Sequence, residues 1–140
     1  MDCKKIVVAG AAGFIGTNFL NRLAGIKEYD VLGVFNTNKP KIKANNINYV
    51  QADLRNLKVC KDIVKGADYL CMFAGQLSTT AVMLKNPLGP ITDNTVINVN
   101  MLEAAYSANV EKYIWLSSTT GYPSQEKPLV EDDFFKSEPP

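Results

Sequence analysis

Histidine is absent from the 140 residues. Its absence removes any Ser-His-Asp or Cys-His catalytic set and any histidine-ligated metal site. Chemistry must therefore come from Ser, Thr, Tyr, Lys, carboxylates or a bound cofactor, and no metal is expected. Cysteine is scarce. Cys3, Cys60 and Cys71 show neither metal nor redox spacing and read as reduced thiols, which points to a cytoplasmic protein. No run approaches the ~20 apolar residues of a membrane span, so no membrane partner is expected. Neither sign of charge dominates, the net charge being +1. Lys39, Lys41 and Lys43 form the only basic cluster, too small for a nucleic-acid surface. The opening apolar run follows Lys4 and Lys5 but lacks the form of a secretory signal. Three glycines break it, Asn18, Asn21 and Arg22 follow, and no clear cleavage site closes it. The length suits one domain spanning residues 1–140. A chain of this size buries about two-thirds of its unfolded surface.

What is present is organised around residues 4–23, KKIVVAGAAGFIGTNFLNRL. Ile6, Val7, Val8 and Ala9 make an apolar run. Gly10, Gly13 and Gly16 follow at a spacing of three, and then Phe14, Ile15, Phe19, Leu20 and Leu23 fall at helical spacing. The order is buried strand, glycine turn, helix. A dinucleotide requires this order, because its pyrophosphate rests on the free N–H groups of a helix N-terminus. Gly10 permits a sharp exit from the strand. Gly13 leaves room for close approach of a phosphate, and Gly16 lets the helix pack on the strand. The alternative is an ordinary Gly/Ala-rich turn.

Further strands are predicted over residues 29–35 (YDVLGVF), 48–52 (NYVQA), 69–74 (YLCMFA) and 112–116 (KYIWL). Helices are predicted over 54–64, with Leu57, Cys60, Ile63 and Val64 on one face and Gly66 as the stop, and over 91–108. In the longer helix Val96, Val99, Leu102, Ala105 and Tyr106 are expected to face inward. Residues 77–90 are mixed, and 117–140 show no element beyond a turn. Apolar strands alternating with helices predict an α/β fold, a doubly wound parallel sheet of order 3-2-1-4-5. Ligands in such sheets bind beyond the C-terminal strand ends. Four glycine-rich or polar patches lie there: 10–16, 36–39, 74–76 and 117–120.

At the end of the second strand, a carboxylate would favour NAD and its absence with cations nearby would favour NADP. The segment Phe35, Asn36, Thr37, Asn38, Lys39 has none, which favours NADP(H). The alternative is that Asn36 bonds the ribose hydroxyls of NAD and Lys39 is solvated. Asp53 could accept from an adenine amino group with Leu54 covering the ring, or cap the next helix, or both. Ser117, Ser118, Thr119 and Thr120 either act chemically or cap a loop. Asp132 and Asp133 read as a solvated loop. Tyr113 and Trp115 read as core residues.

Together, GAAGFIG, ADL at 52–54, the FAG after the fourth strand, NTVINVNMLEAA at 94–105 and SSTTGYP at 117–123 resemble the extended short-chain dehydrogenase/reductase family. This is the nucleotide-sugar epimerase, dehydratase and reductase group, and Tyr122-Pro123 looks most like its GDP-fucose synthase branch. The resemblance implies that Gly10, Gly13, Phe14, Ile15 and Gly16 line the pyrophosphate and that Asp53 and Leu54 hold adenine. It places Ala74 and Gly75 beside the nicotinamide ribose and has Asn94 brace the site from the long helix. Ser118, or Thr119 if the loop is shifted by one, would hydrogen-bond the reacting sugar oxygen. Departures exist. Met72 stands where members often carry His, Gly75 where many carry Ala, and Phe35 near the usual acidic position.

The family's Tyr-x-x-x-Lys pair is missing. The tyrosines at 29, 49, 69, 106, 113 and 122 are followed four residues on by Gly33, Asp53, Phe73, Val110, Ser117 and Glu126. The resemblance therefore implies the cofactor-binding part of an enzyme that moves hydride between a sugar carbon and nicotinamide. By itself the chain is expected to bind dinucleotide without turnover and to self-associate through exposed apolar surface. The rival reading is a non-catalytic NAD(P)-binding sensor or interaction protein.

Overall fold

The computed structural model describes residues 3–76, 84–118, 121–123, 127–134 and 136. The predicted apolar runs become strands β1 (Lys4–Ala9), β2 (Tyr29–Phe35), β3 (Ile47–Gln51), β4 (Tyr69–Met72) and β5 (Lys112–Trp115). They form one sheet of order β3-β2-β1-β4-β5. Every pairing is parallel, with Val8 of β1 level with Gly33 of β2 and Cys71 of β4. Helices α1 (Phe14–Leu23), α2 (Leu57–Val64) and α3 (Leu88–Ser107) cover the faces, and a short 3-10 turn spans Glu131–Asp133.

Strand alternation divides the core. Side chains one residue apart on β1 point to opposite faces. Val7 and Ala9 pack with Cys60, Ile63 and Val64 of α2 and with Met101, Ala104 and Ala105 of α3. Ile6 and Val8 pack with Leu20 and Leu23 of α1. Val7 and Val8 are completely buried, each stabilising the fold by about 1.5–3 kcal/mol. β1 thus lies at the centre of the sheet with both faces covered.

Three expectations need correction. In α3 Ala105 is buried as expected, but the inward stripe it belongs to is Ile97, Met101 and Ala104, continued by Ala108 just past the helix end. Val99 and Leu102 are each 57% exposed and Tyr106 is 86% exposed. The helix is apolar on two faces, and either stripe fits helical spacing, so periodicity alone could not separate them and placed Val99, Leu102 and Tyr106 on the wrong side. Trp115 is exposed because β5 pairs only with β4 among the described residues. Asp53 does not cap α2. That helix starts at Leu57, and the Asn56 side chain accepts from the N–H groups of Lys58 and Val59.

Candidate dinucleotide cleft

The turn after β1 is pinned to the neighbouring strand. The N–H groups of Gly10 and Ala11 both donate to the Val34 carbonyl, at 3.0 and 2.9 Å. Gly10 has φ +85°, and a Cβ there would meet the backbone of Phe73 and Ala74. A Cβ on Gly16 would collide with the Gly10 carbonyl. Both glycines are therefore needed to seat α1 on β1. Gly13 differs. Its backbone is extended (φ −74°, ψ 169°), and a Cβ would touch only the Gly10 oxygen, at 3.3 Å. No packing requirement forbids a side chain at Gly13.

The first intrahelical bond runs from Thr17 N–H to the Gly13 carbonyl. The N–H groups of Phe14, Ile15 and Gly16 precede it, and α1 has no side-chain cap and no acidic residue in its first turn. Among the described residues no protein group accepts from these three donors. A helix start with open N–H groups and the positive end of its dipole attracts an anion.

Beside it an open cleft of about 560 Å³ runs along the C-terminal strand ends. Gly10, Gly13, Asn36, Asp53, Leu54, Ala74, Gly75 and Asn94 all line it, so eight predicted residues from four segments and α3 meet there. Lys39 is exposed and does not line it, and neither does Ser118, which is exposed beyond β5. Phe14, Ile15 and Gly16 are not lining residues; Phe14 is 86% exposed at the helix start. Thr119 lies outside the described residues.

Two walls are held by polar contacts that sequence reading missed. Arg55 binds Asp53 through Nε and Nη2, the latter at 2.7 Å, and reaches Asp93 of α3 at 3.5 Å. The Asp53 carboxylate is held at a pKa of about 2, chiefly by the Arg55 side-chain hydrogen bonds and then by its backbone N–H. Most of its acceptor capacity is already engaged. Leu54 lines the cleft but is only 8% exposed and belongs to the core. On the opposite wall, Asn94 Oδ1 accepts from Gln76 N–H at 2.7 Å and its Nδ2 donates to the Gln76 carbonyl at 3.1 Å. This pair of hydrogen bonds fixes Gln76, at the end of the described segment after β4. A cation two residues after Asp53, and three asparagines inside one helix, were the signals available in the sequence.

The sheet order, the glycine turn and the cleft at the strand ends define a doubly wound α/β domain of Rossmann type. The NAD dependent epimerase/dehydratase family model matches residues 6–140, and the chain belongs to that family. It is similar to GDP-mannose 3,5-epimerase 1 of Oryza sativa subsp. japonica, with 27% identity covering 96% of this chain and 37% of that protein. Among solved structures it is similar to an epimerase of Methanothermobacter thermautotrophicus, with TM-score 0.82 and 25% identity over 97% of this chain and 42% of the other. A second is the UDP-N-acetylglucosamine 4-epimerase of Methanobrevibacter ruminantium, solved with UDP-N-acetylmuramic acid. It has TM-score 0.79 and 25% identity over 96% of this chain and 44% of the other. The chain thus spans about two-fifths of the length of these relatives. Among the described residues no helix is long and apolar enough to cross a membrane, and no group of three or more acidic or thiol side chains is placed to hold a metal.

Proposed function

We propose that this chain is the dinucleotide-binding part of a nucleotide-sugar epimerase, dehydratase or reductase. The carrying observation is the open start of α1: three N–H groups without acceptors among the described residues, beside a Gly13 whose missing side chain no packing contact requires. A diphosphate fits both facts. Its oxygens would accept from Phe14, Ile15 and Gly16 N–H and pass close to Gly13. The base end would lie by Asp53 and Leu54, with Asp53 ionised throughout the physiological range. The nicotinamide end would lie by Ala74 and Gly75, on the loop that Asn94 braces. A bound nicotinamide supplies the hydride chemistry. The chain's own part is to bind, orient and, through Ser118, hydrogen-bond a sugar oxygen. The lack of a carboxylate among Phe35, Asn36, Thr37 and Asn38 favours NADP(H) over NAD(H). Lacking a Tyr-x-x-x-Lys pair, the 140 residues alone bind dinucleotide without turnover. The exposed stripe of Val99, Leu102 and Tyr106 gives copies of the chain a surface for self-association.

Calorimetric titration of NADP(H) and NAD(H) into the wild type and into Gly13→Val tests this reading. The wild type should bind and the variant should not. Equal behaviour of the two, or no binding by either, would refute it.

A further inference from the structure

Helix α3 carries three asparagines whose side chains each bond at least one group outside the helix. Asn94 holds Gln76, as described. Asn98 Nδ2 donates back to the Asn94 carbonyl at 2.7 Å, while its Oδ1 accepts from the indole N–H of Trp115 at 2.9 Å. Asn100 Nδ2 donates to the carbonyls of Leu54 and Arg55, at 3.0 and 2.9 Å. Asparagine is a weak helix former, so three within two turns need a reason outside the helix. The direction of each side chain supplies it. Asn94 and Asn98 are four apart and share a face, whereas Asn98 and Asn100 are two apart and project to nearly opposite sides. One helix therefore bonds two separate segments. On one side it bonds the cleft-lining loop carrying Asp53, Leu54 and Arg55. On the other it bonds the last residue of β5, outside the cleft lining and three positions before Ser118.

We propose that Asn98 and Asn100 are positioning residues for two separate segments: Asn100 fixes the loop at the base-binding end of the cleft, and Asn98 fixes the end of β5, beyond the cleft lining, that leads to Ser118. The inference rests on the dinucleotide reading above. Without Asn100, the Leu54 and Arg55 carbonyls lose their shared donor and the loop samples other conformers. A ligand then binds with its intrinsic affinity reduced by the fraction of chains whose loop is competent. Loss of about one net hydrogen bond lowers that fraction about fivefold. Without Asn98, the base-binding end is untouched, but Trp115 and the segment after it are released.

Two probes separate the ends. ADP, titrated calorimetrically, reports the base and diphosphate. Trp115 is the single tryptophan, so its emission, and its quenching by energy transfer to bound NADH, report the end of β5. Asn100→Leu, and Asn100→Asp, which keeps the shape but loses the donor, should each weaken ADP about fivefold and leave the Trp115 emission maximum in place. Asn98→Leu should bind ADP within about twofold of wild type, with red-shifted emission and altered NADH quenching. Asn98→Asp, which keeps an acceptor for the indole N–H, should restore the emission. This crossed pattern is not what general destabilisation gives. Equal weakening of ADP by both variants, or no change in either readout, would overturn the proposal while leaving cofactor binding intact. Failure of the wild type to bind ADP or NADH would instead overturn the dinucleotide reading itself.

Discussion

Gly13 and Gly16 lie three residues apart in one motif, yet the structure assigns them different jobs, and alanine at each should separate the two. At Gly16 a new Cβ meets the Gly10 carbonyl, which also accepts the Gly13 N–H at 3.0 Å. Backbone held in this way cannot move aside cheaply. Overpacking of this kind costs about 3 kcal/mol at its upper range, and alanine returns about 1 kcal/mol of helix propensity. The net loss is about 2 kcal/mol, or about 6 °C in Tm for a domain of this size. At Gly13 the backbone is extended and the only close neighbour is one oxygen at 3.3 Å. Gly13→Ala should cost less than about 1 kcal/mol, mostly from a poorer N-cap. Its methyl would stand where the diphosphate approaches. Losing even one charge-assisted hydrogen bond costs at least about 1.5 kcal/mol, so dinucleotide affinity should fall at least tenfold. Differential scanning calorimetry and titration calorimetry on both variants read the two effects. A Gly13→Ala protein that binds as wild type, or a Gly16→Ala protein as stable as wild type, would refute the division of roles.

Other outcomes follow from the same geometry. Asn56→Ala removes the acceptor for Lys58 and Val59 N–H and should cost about 1 kcal/mol, seen as a Tm lower by about 3 °C. Cys60 and Cys71 are buried, with pKa values pushed up by desolvation to about 11, while Cys3 is exposed. A thiol reagent at pH 8 should therefore label one cysteine rapidly and the other two only after urea unfolding; two or three fast thiols would contradict the packing. Asp68 is held below the ordinary aspartate value of 3.8 by hydrogen bonds from Lys4 and then from the Lys5 N–H. Its contribution is present above 3.8 and is lost as pH falls through its lowered folded value. The same linkage raises the Lys4 pKa, chiefly through Asp68 and then Glu111, so that share is fully present below 10.5 and is lost as pH rises through its raised folded value. Lys4→Met should consequently shrink the difference in urea midpoint between pH 7 and pH 3. An unchanged difference would show that the contacts among Lys4, Asp68 and Glu111 do not matter for stability.

Local signals carried the architecture. β2 begins and ends at the predicted residues, and the sheet order follows from right-handed crossovers applied to alternating strands and helices. The glycine turn and the strand-end residues were legible because a bare turn and a strand end are properties of short stretches of chain, whereas Asn94 came only from the family resemblance. The inward face of α3 was not legible. Met101 and Leu102 are equally apolar, and only the position of β4 and α2 decides which of them is buried. Nor could the sequence say that Arg55 occupies Asp53, or that Leu54 turns into the core, since both depend on distances between segments folded together. Adjacent residues thus determined that a strand, a bare turn and a helix would form in that order. Tertiary packing determined which side chains those elements show to the cleft, because burial and hydrogen bonding there are settled between residues far apart in sequence, as Leu54 and Asn100 are, 46 positions apart.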